Sequence, residues 1–114
     1  MKKLSILLIF VSFLMACSST KNLTETSLTG STWKYIDEDD KYEITFGEDG
    51  KLITTHPNDV TPDNDIWSQD GALVHFEYND GYSKYDGVMK STNKILGEAR
   101  NSRTSWAWKL KRIK

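Results

Sequence analysis

From Gly30 onward, apolar and polar residues alternate one for one, and turn residues interrupt the alternation about every 8 to 12 positions. This is the pattern of short strands with one buried face. Thr32 to Ile36 places Trp33 and Tyr35 on one side. Lys41 to Phe46 is the most regular stretch, with Tyr42, Ile44 and Phe46 set against Lys41, Glu43 and Thr45. Gly47-Glu48-Asp49-Gly50 turns the chain into Lys51 to Thr55. A long polar loop, His56 to Asp65, holds both prolines. Ile66 to Gln69 is short, and Asp70-Gly71 is a two-residue hairpin signal. Ala72 to Tyr78 sets Val74, Phe76 and Tyr78 against His75 and Glu77. Asn79-Asp80-Gly81 turns into Tyr82 to Met89, which groups Tyr85, Gly87 and Met89. After a turn at Lys90 to Lys94, Ile95 to Arg100 sets Ile95, Gly97 and Ala99 against Leu96, Glu98 and Arg100. Asn101 to Thr104 leads into Ser105 to Ile113, with Trp106, Trp108 and Leu110 inward and Lys109 and Lys111 outward.

No stretch after Ser18 carries a helical period of useful length. About eight strands joined by short connections predict an all-β fold, a small up-and-down antiparallel barrel. Closure of such a sheet removes its exposed edges.

The first residues follow a different pattern. Lys2 and Lys3 precede an apolar run from Leu4 to Leu14, broken only by Ser5 and Ser12. Roughly 11 residues are too few to span a bilayer as a helix, which takes about 20, and they fit a cleaved secretory signal. Leu14-Met15-Ala16-Cys17 resembles the lipobox of bacterial lipoproteins. The resemblance implies a signal peptide over residues 1–16 and cleavage before Cys17. The Cys17 thiol would then carry diacylglycerol, with palmitate-type acyl chains at the mature N-terminus. Two or more acyl chains hold a protein stably on a membrane. By the same resemblance, Ser18 after the cysteine favours the outer membrane of the envelope over the inner. Residues 17–28, polar and rich in Ser and Thr, read as a lipidated N-terminus and flexible tether. Residues 29–114 form the barrel domain.

Composition narrows the partners. Of the 15 Lys and Arg, two leave with the leader, so 13 face 16 acidic residues and the net charge is about −3. That balance argues against nucleic acid, which needs a basic face. Cys17 is the sole cysteine, so the domain holds together without disulfides in an oxidising compartment. Its cohesion falls to aromatic residues.

The domain resembles the lipocalin-like (calycin) small lipoproteins. The resemblance rests on Leu28-Thr29-Gly30-Ser31-Thr32-Trp33, on Phe46 with Asp49-Gly50, and on Trp67 with Gly71. Tyr85-Asp86-Gly87-Val88-Met89, Ile95-Leu96-Gly97 and Trp106-Ala107-Trp108-Lys109-Leu110 complete it. It implies a barrel whose first-strand Trp33 is covered by a basic residue of the last strand, for which Arg112 is the candidate. The Gly30-x-x-Trp33 spacing is one residue longer than the family's Gly-x-Trp.

Two readings of the aromatic set stay open. Trp33, Tyr35, Tyr42, Phe46, Trp67, Phe76, Tyr85, Trp106 and Trp108 either fill the barrel or line a pocket at one mouth. Strands of five to seven residues are only about 17 to 23 Å long, and an eight-strand barrel holds side chains or one small ligand. Gly87, Gly97 and Ala99 remove bulk from inward positions, which either opens a pocket or makes room beside a Trp. The candidate ligand-binding residues are Trp33, Trp67, Phe76, Tyr85 and Trp108, with the mouth near Trp67, Tyr85 and Trp108. His56, Asp59, Asp63 and Asp65, near Asn58 and Asn64, offer oxygens to a cation. They match no calcium-loop spacing, so no metal or cofactor is expected. His75 points outward, and no nucleophile motif accompanies it; the chain is not expected to be an enzyme. Lys109, Lys111, Arg112 and Lys114 form a basic edge, read as edge protection or as a contact for headgroups or an acidic partner. The expected function is that of a lipid-anchored envelope protein binding a small apolar or amphipathic molecule. The alternative is a protein-interaction module, such as an inhibitor or accessory factor of an envelope enzyme.

Overall fold

The computed structural model describes residues 23–56 and 62–114. The leader, Cys17, the first half of the tether, and Asn58 and Asp59 lie outside the described residues. Eight strands follow one another: β1 (Thr32–Ile36), β2 (Lys41–Phe46), β3 (Leu52–Thr54), β4 (Ile66–Asp70), β5 (Leu73–Tyr78), β6 (Ser83–Ser91), β7 (Lys94–Arg100) and β8 (Ser105–Arg112). Each pairs antiparallel with its sequence neighbour, except that β3 and β4 are the two ends of the sheet order. β8 returns to pair with β1, Tyr35 opposite Leu110. A single bridge, Lys51 to Ile66, and the Leu52 N–H donating to the Asp65 carbonyl (3.1 Å) span the gap between β3 and β4. The sheet is therefore a nearly closed up-and-down barrel, the architecture that the lipocalin-like resemblance implies.

The period-two alternation sets the inner face. Trp33, Tyr35, Ile44, Phe46, Phe76, Ile95 and Leu110 are wholly buried. Two local details differ from the sequence pattern. The β4–β5 turn is Gly71-Ala72 rather than Asp70-Gly71, because Asp70 still pairs with Leu73. Gly71 takes the left-handed conformation at the first turn position (φ 60°), where a two-residue hairpin loop demands it. The β6–β7 turn tightens to Thr92-Asn93, and a register shift between Met89 and Ser91 absorbs the odd residue.

One end, the mouth, carries the β1–β2, β5–β6 and β7–β8 connections and the His56 side of the β3–β4 connection. The other is closed by the N-terminal arm. Leu28 is completely buried there and Leu23 packs against the core. Gln69 fastens the arm: its Oε1 accepts the Leu28 N–H (3.1 Å), and its Nε2 donates to the Thr26 and Gly71 carbonyls. The stretch expected as tether to residue 28 is thus docked from Leu23 onward, because an apolar side chain at Leu28 finds the open barrel end. Trp33 lies just inside. Its Nε1 donates to Ser31 Oγ (2.7 Å), and the Arg112 guanidinium lies 5.6 Å from its ring centroid. This is the basic lid over the first-strand Trp, held by a cation–π contact despite the longer glycine spacing.

The inward glycines make room for Trp108. Gly87 and Gly97 are opposite each other, and Gly97 is opposite Trp108. A Cβ on Gly87 would sit 2.6 Å from Trp108 Cη2, and one on Gly97 would collide with the same ring and with the Asp86 carbonyl. The absent bulk is occupied by an indole, so these glycines do not open a pocket inside the barrel. Among the described residues the buried Trp108 Nε1–H has no hydrogen-bond partner, a cost of about 1–3 kcal/mol that the packing offsets. Gly87→Ala is expected to destabilise the barrel by about 1–3 kcal/mol through overpacking. In a Trp108→Leu background the same change should cost measurably less. Urea unfolding of the four-member cycle checks this.

Candidate functional site

The barrel interior is a continuous run of rings. Trp33 meets Phe46 edge-on (6.4 Å), Phe46 meets Trp67 (4.9 Å) and Phe76 (6.2 Å), and Phe76 stacks on Tyr85 (4.6 Å, 8°). Trp108 lies 5.1 Å from Phe76 and 6.1 Å from Tyr85. Offset and edge-on pairs of this kind add about 0.5–1.5 kcal/mol each beyond area burial. Of the five ligand-binding candidates, Phe76, Tyr85 and Trp108 are brought together, but Phe76 and Trp108 are buried in the filled interior. Trp33 is at the closed end. Trp67 is half-buried on the seam side, its Nε1 donating to the Gly47 carbonyl (2.8 Å). Only Tyr85 reaches a cavity at the mouth.

That cavity has a volume of about 480 Å³. Tyr42, Tyr78 and Tyr85 form its floor, Trp106 one wall, and His56 another. Asp37, Glu38, Asp39 and Asp40 stand on the rim, and among the described residues the lining contains no lysine or arginine. β1 and β2 deliver the acidic run because it is their connection. Asp37 organises the turn by accepting the backbone N–H of Asp39 (2.8 Å) and Asp40 (2.7 Å), an Asx-type turn. Its second oxygen accepts the Tyr35 hydroxyl (2.6 Å), which in turn accepts Trp106 Nε1–H (3.0 Å). Trp106 is thereby held half-buried at the mouth, rather than inside as its strand parity suggests. Tyr42 and Tyr78 share a hydroxyl contact of 2.9 Å. The His56 ring stands 4.6 Å from Tyr42 and 3.7 Å from Asp40.

Burial raises the pKa of the Tyr35, Tyr42, Tyr78 and Tyr85 hydroxyls far above the ordinary phenol range. Their mutual charges add to this for Tyr42. The floor is therefore neutral hydroxyl and π-face, beneath a ring of carboxylates. Such a hollow takes an apolar or aromatic body, with a neutral or positive group at the rim. The sequence signal for it was the run of four consecutive acids between two strands, together with Tyr42 and Tyr78 at the mouth ends of β2 and β5. Trp106 belongs with them.

In the long loop, Asp65 turns inward, almost fully buried, and its Oδ1 accepts the Asn79 N–H (3.1 Å). It supports the left-handed Asn79 turn (φ 54°). Asp63 is exposed.

A second cluster of titratable groups lies on the outer wall of β5, β6 and β7. His75 Nδ1 contacts Asp86 Oδ1 and Nε2 contacts Glu77 Oε2, each at 2.6 Å, and Arg100 Nη1 reaches Asp86 Oδ2 (3.0 Å). Ser68 is the cross-strand neighbour of His75, but both ring nitrogens are taken by carboxylates. The arrangement is a charge clamp across three strands, with no nitrogen left to activate a hydroxyl.

Comparison with known protein families, with curated proteins and with solved structures finds no match to this chain.

Partial burial disfavours charged His75, but hydrogen bonds to Glu77 and Asp86 outweigh it and raise its pKa above the usual 6.5. Asp86 feels an opposing burial effect, yet His75 and Arg100 hold it below the usual carboxylate value. A raised histidine pKa contributes stability that is complete below the unfolded-state value and disappears as pH rises through the folded-state value. Thermal stability is therefore expected to fall between pH 6.5 and the folded-state pKa of His75. His75→Gln should flatten that slope, and a calorimetric pH series checks both. The lowered Asp86 works in the other direction, with its contribution lost as the solution is acidified.

Proposed function

We propose that the protein is a lipid-anchored lipoprotein of the bacterial envelope, sorted to the outer membrane, that binds a small amphipathic molecule at the barrel mouth without chemical turnover. The lipobox-like Leu14-Met15-Ala16-Cys17 supports the anchor through acylated Cys17. The observation that carries the binding reading is the mouth cavity, about 480 Å³ with Tyr42, Tyr78, Tyr85 and Trp106 around it. It is the space left after the rings fill the barrel. Four carboxylates on its rim select against fatty acids and favour a ligand whose polar end is neutral or cationic. Its apolar body would lie on the tyrosine floor, and its head among Glu38, Asp39 and Asp40.

The second reading is a protein-interaction module. Four consecutive acids on one connection, with Glu38 and Asp39 exposed, would also suit a cationic surface of an envelope enzyme. Rim charges of that kind act mainly on association rate and salt dependence.

Intrinsic fluorescence discriminates. Titration with amphiphiles of one chain length and ammonium, neutral or carboxylate heads is expected to give a saturable change for the first two. Trp106→Phe should remove most of that signal. Glu38→Gln with Asp39→Asn should weaken the ammonium ligand by roughly fivefold at low salt and less at high salt. Absence of a saturable change with all three heads would overturn the small-ligand reading and leave the protein-interaction one.

A further inference from the structure

We propose that the outer wall of β6, β7 and β8, toward the closed end and flanked by Leu73 of β5 and Lys34 of β1, docks on the anionic phospholipid surface of the membrane that holds the anchor. This rests on the lipid-anchor reading above, and it concerns a different face from the mouth.

Three observations carry it. The first is a row of like charge. Lys34 on β1 is directly opposite Lys111 on β8, and Lys111 is directly opposite Lys94 on β7. All three are exposed, and among the described residues none of them forms an ion pair. Glu43, opposite Lys34, is the one acid beside the row. Like charges directly opposed across strands destabilise a sheet, so the row works against the fold and fits an external anion.

The second is the row beside it. Leu73, Val88 and Leu96 are in register across β5, β6 and β7, all on the outer face. Leu73 is 56% exposed and Val88 38%. With Gly87 and Gly97 behind them they bound a shallow, mainly apolar hollow of about 320 Å³, which Asp70 and Asp86 border on the far side. The two rows meet on β7, where Lys94 and Leu96 share the outer face, and lysines next to apolar side chains are the composition of a surface that lies in a headgroup interface. The lysines meet phosphates, and the apolar side chains reach the acyl boundary.

The third is geometry. The chain joins the barrel at its closed end, where Leu28 plugs it. Cys17 precedes Leu23 by six residues, a span of at most about 20 Å. An acylated Cys17 therefore holds the closed end close to the headgroups. Lys94, Lys111, Arg112 and Lys114 lie toward that end on the β7–β8 side, whereas the exposed acids of that end, Glu48, Asp49 and Asp70, lie across the barrel in the β2–β3 and β4–β5 connections. Asp37, Glu38, Asp39 and Asp40 are at the other, turned away from a surface of their own sign. The short tether and the charge asymmetry select the same orientation, closed end down and mouth outward.

The test uses the acylated protein reconstituted in vesicles. A fluorophore is placed through Val88→Cys on the proposed face or through Ser102→Cys at the mouth end, and the bilayer carries a spin-labelled lipid quencher. In vesicles containing phosphatidylglycerol, the Val88 probe should be quenched and the Ser102 probe should not. The Val88 quenching should fall in pure phosphatidylcholine and at high salt. Replacing Lys34, Lys94 and Lys111 together by Gln should shift the docked population by on the order of a hundredfold, about fivefold per lysine. Near-ultraviolet circular dichroism confirms that each variant keeps its packed aromatics. Equal quenching of the two probes, or a Val88 signal indifferent to lipid charge and to the lysines, overturns the docking face. Protein that does not float with pure phosphatidylcholine vesicles lacks its acyl anchor, and that result overturns the anchor reading itself.

Discussion

The barrel depends on how its interior is filled. Eight strands of three to nine residues enclose one narrow channel, and no disulfide shares the task of holding them together. Aromatic rings occupy it from Trp33 at the closed end, through Phe46 and Phe76, to Tyr85 below the mouth. Trp108 is the largest object in the wall of that column. It fits only because Gly87 and Gly97 contribute no side chains where the indole lies, and it gives up a hydrogen bond for its Nε1–H to do so. A filled channel also excludes deep ligand burial. The space that remains within the strands is at the top of the column, where the rings give way to the β1–β2 acids.

The two ends are built for different work. At the closed end, Leu28, Gln69, Ser31 and Arg112 convert an open rim into a satisfied cap: apolar burial of Leu28, three hydrogen bonds from one glutamine, and a guanidinium over Trp33. At the mouth, polar groups face a hollow. Asp37 ties Tyr35, and through it Trp106, into place, and its neighbours remain on the rim. The outer wall adds a third surface, apolar on one row and lysine-rich on the next. Its acid clamp around His75 is a separate feature that staples β5 to β6 and β7.

Much of this was legible in the chain. Tyr42, Ile44 and Phe46 alternate with charged and polar residues so regularly that β2 could be placed to the residue. The inward sets of β5 and β6 followed in the same way, because a period of two needs only local information. Arg112 over Trp33 was also anticipated, from a resemblance rather than from spacing. The mouth was not. Trp67, Trp33, Phe76 and Trp108 were natural candidates because large rings at inward positions look alike in sequence. Which of them meets solvent depends on where along the barrel each strand starts, and on the stagger between neighbours. Trp106 shares the parity of Trp108 but lies one pair nearer the mouth, and a hydrogen bond to Tyr35 holds it at the cavity wall.

The sequence by itself determined the number of strands, their inner faces and the antiparallel succession, since alternation and turn chemistry are properties of neighbouring residues. It also carried the lipobox-like Cys17 motif. Only the tertiary structure decided that the glycines serve Trp108 and that Leu28 belongs to the core. It alone gathered the acids and tyrosines around one cavity, and set Lys34, Lys94 and Lys111 in a single row. Those facts depend on cross-strand register and barrel closure, which join residues up to several strands apart and leave no trace in local periodicity.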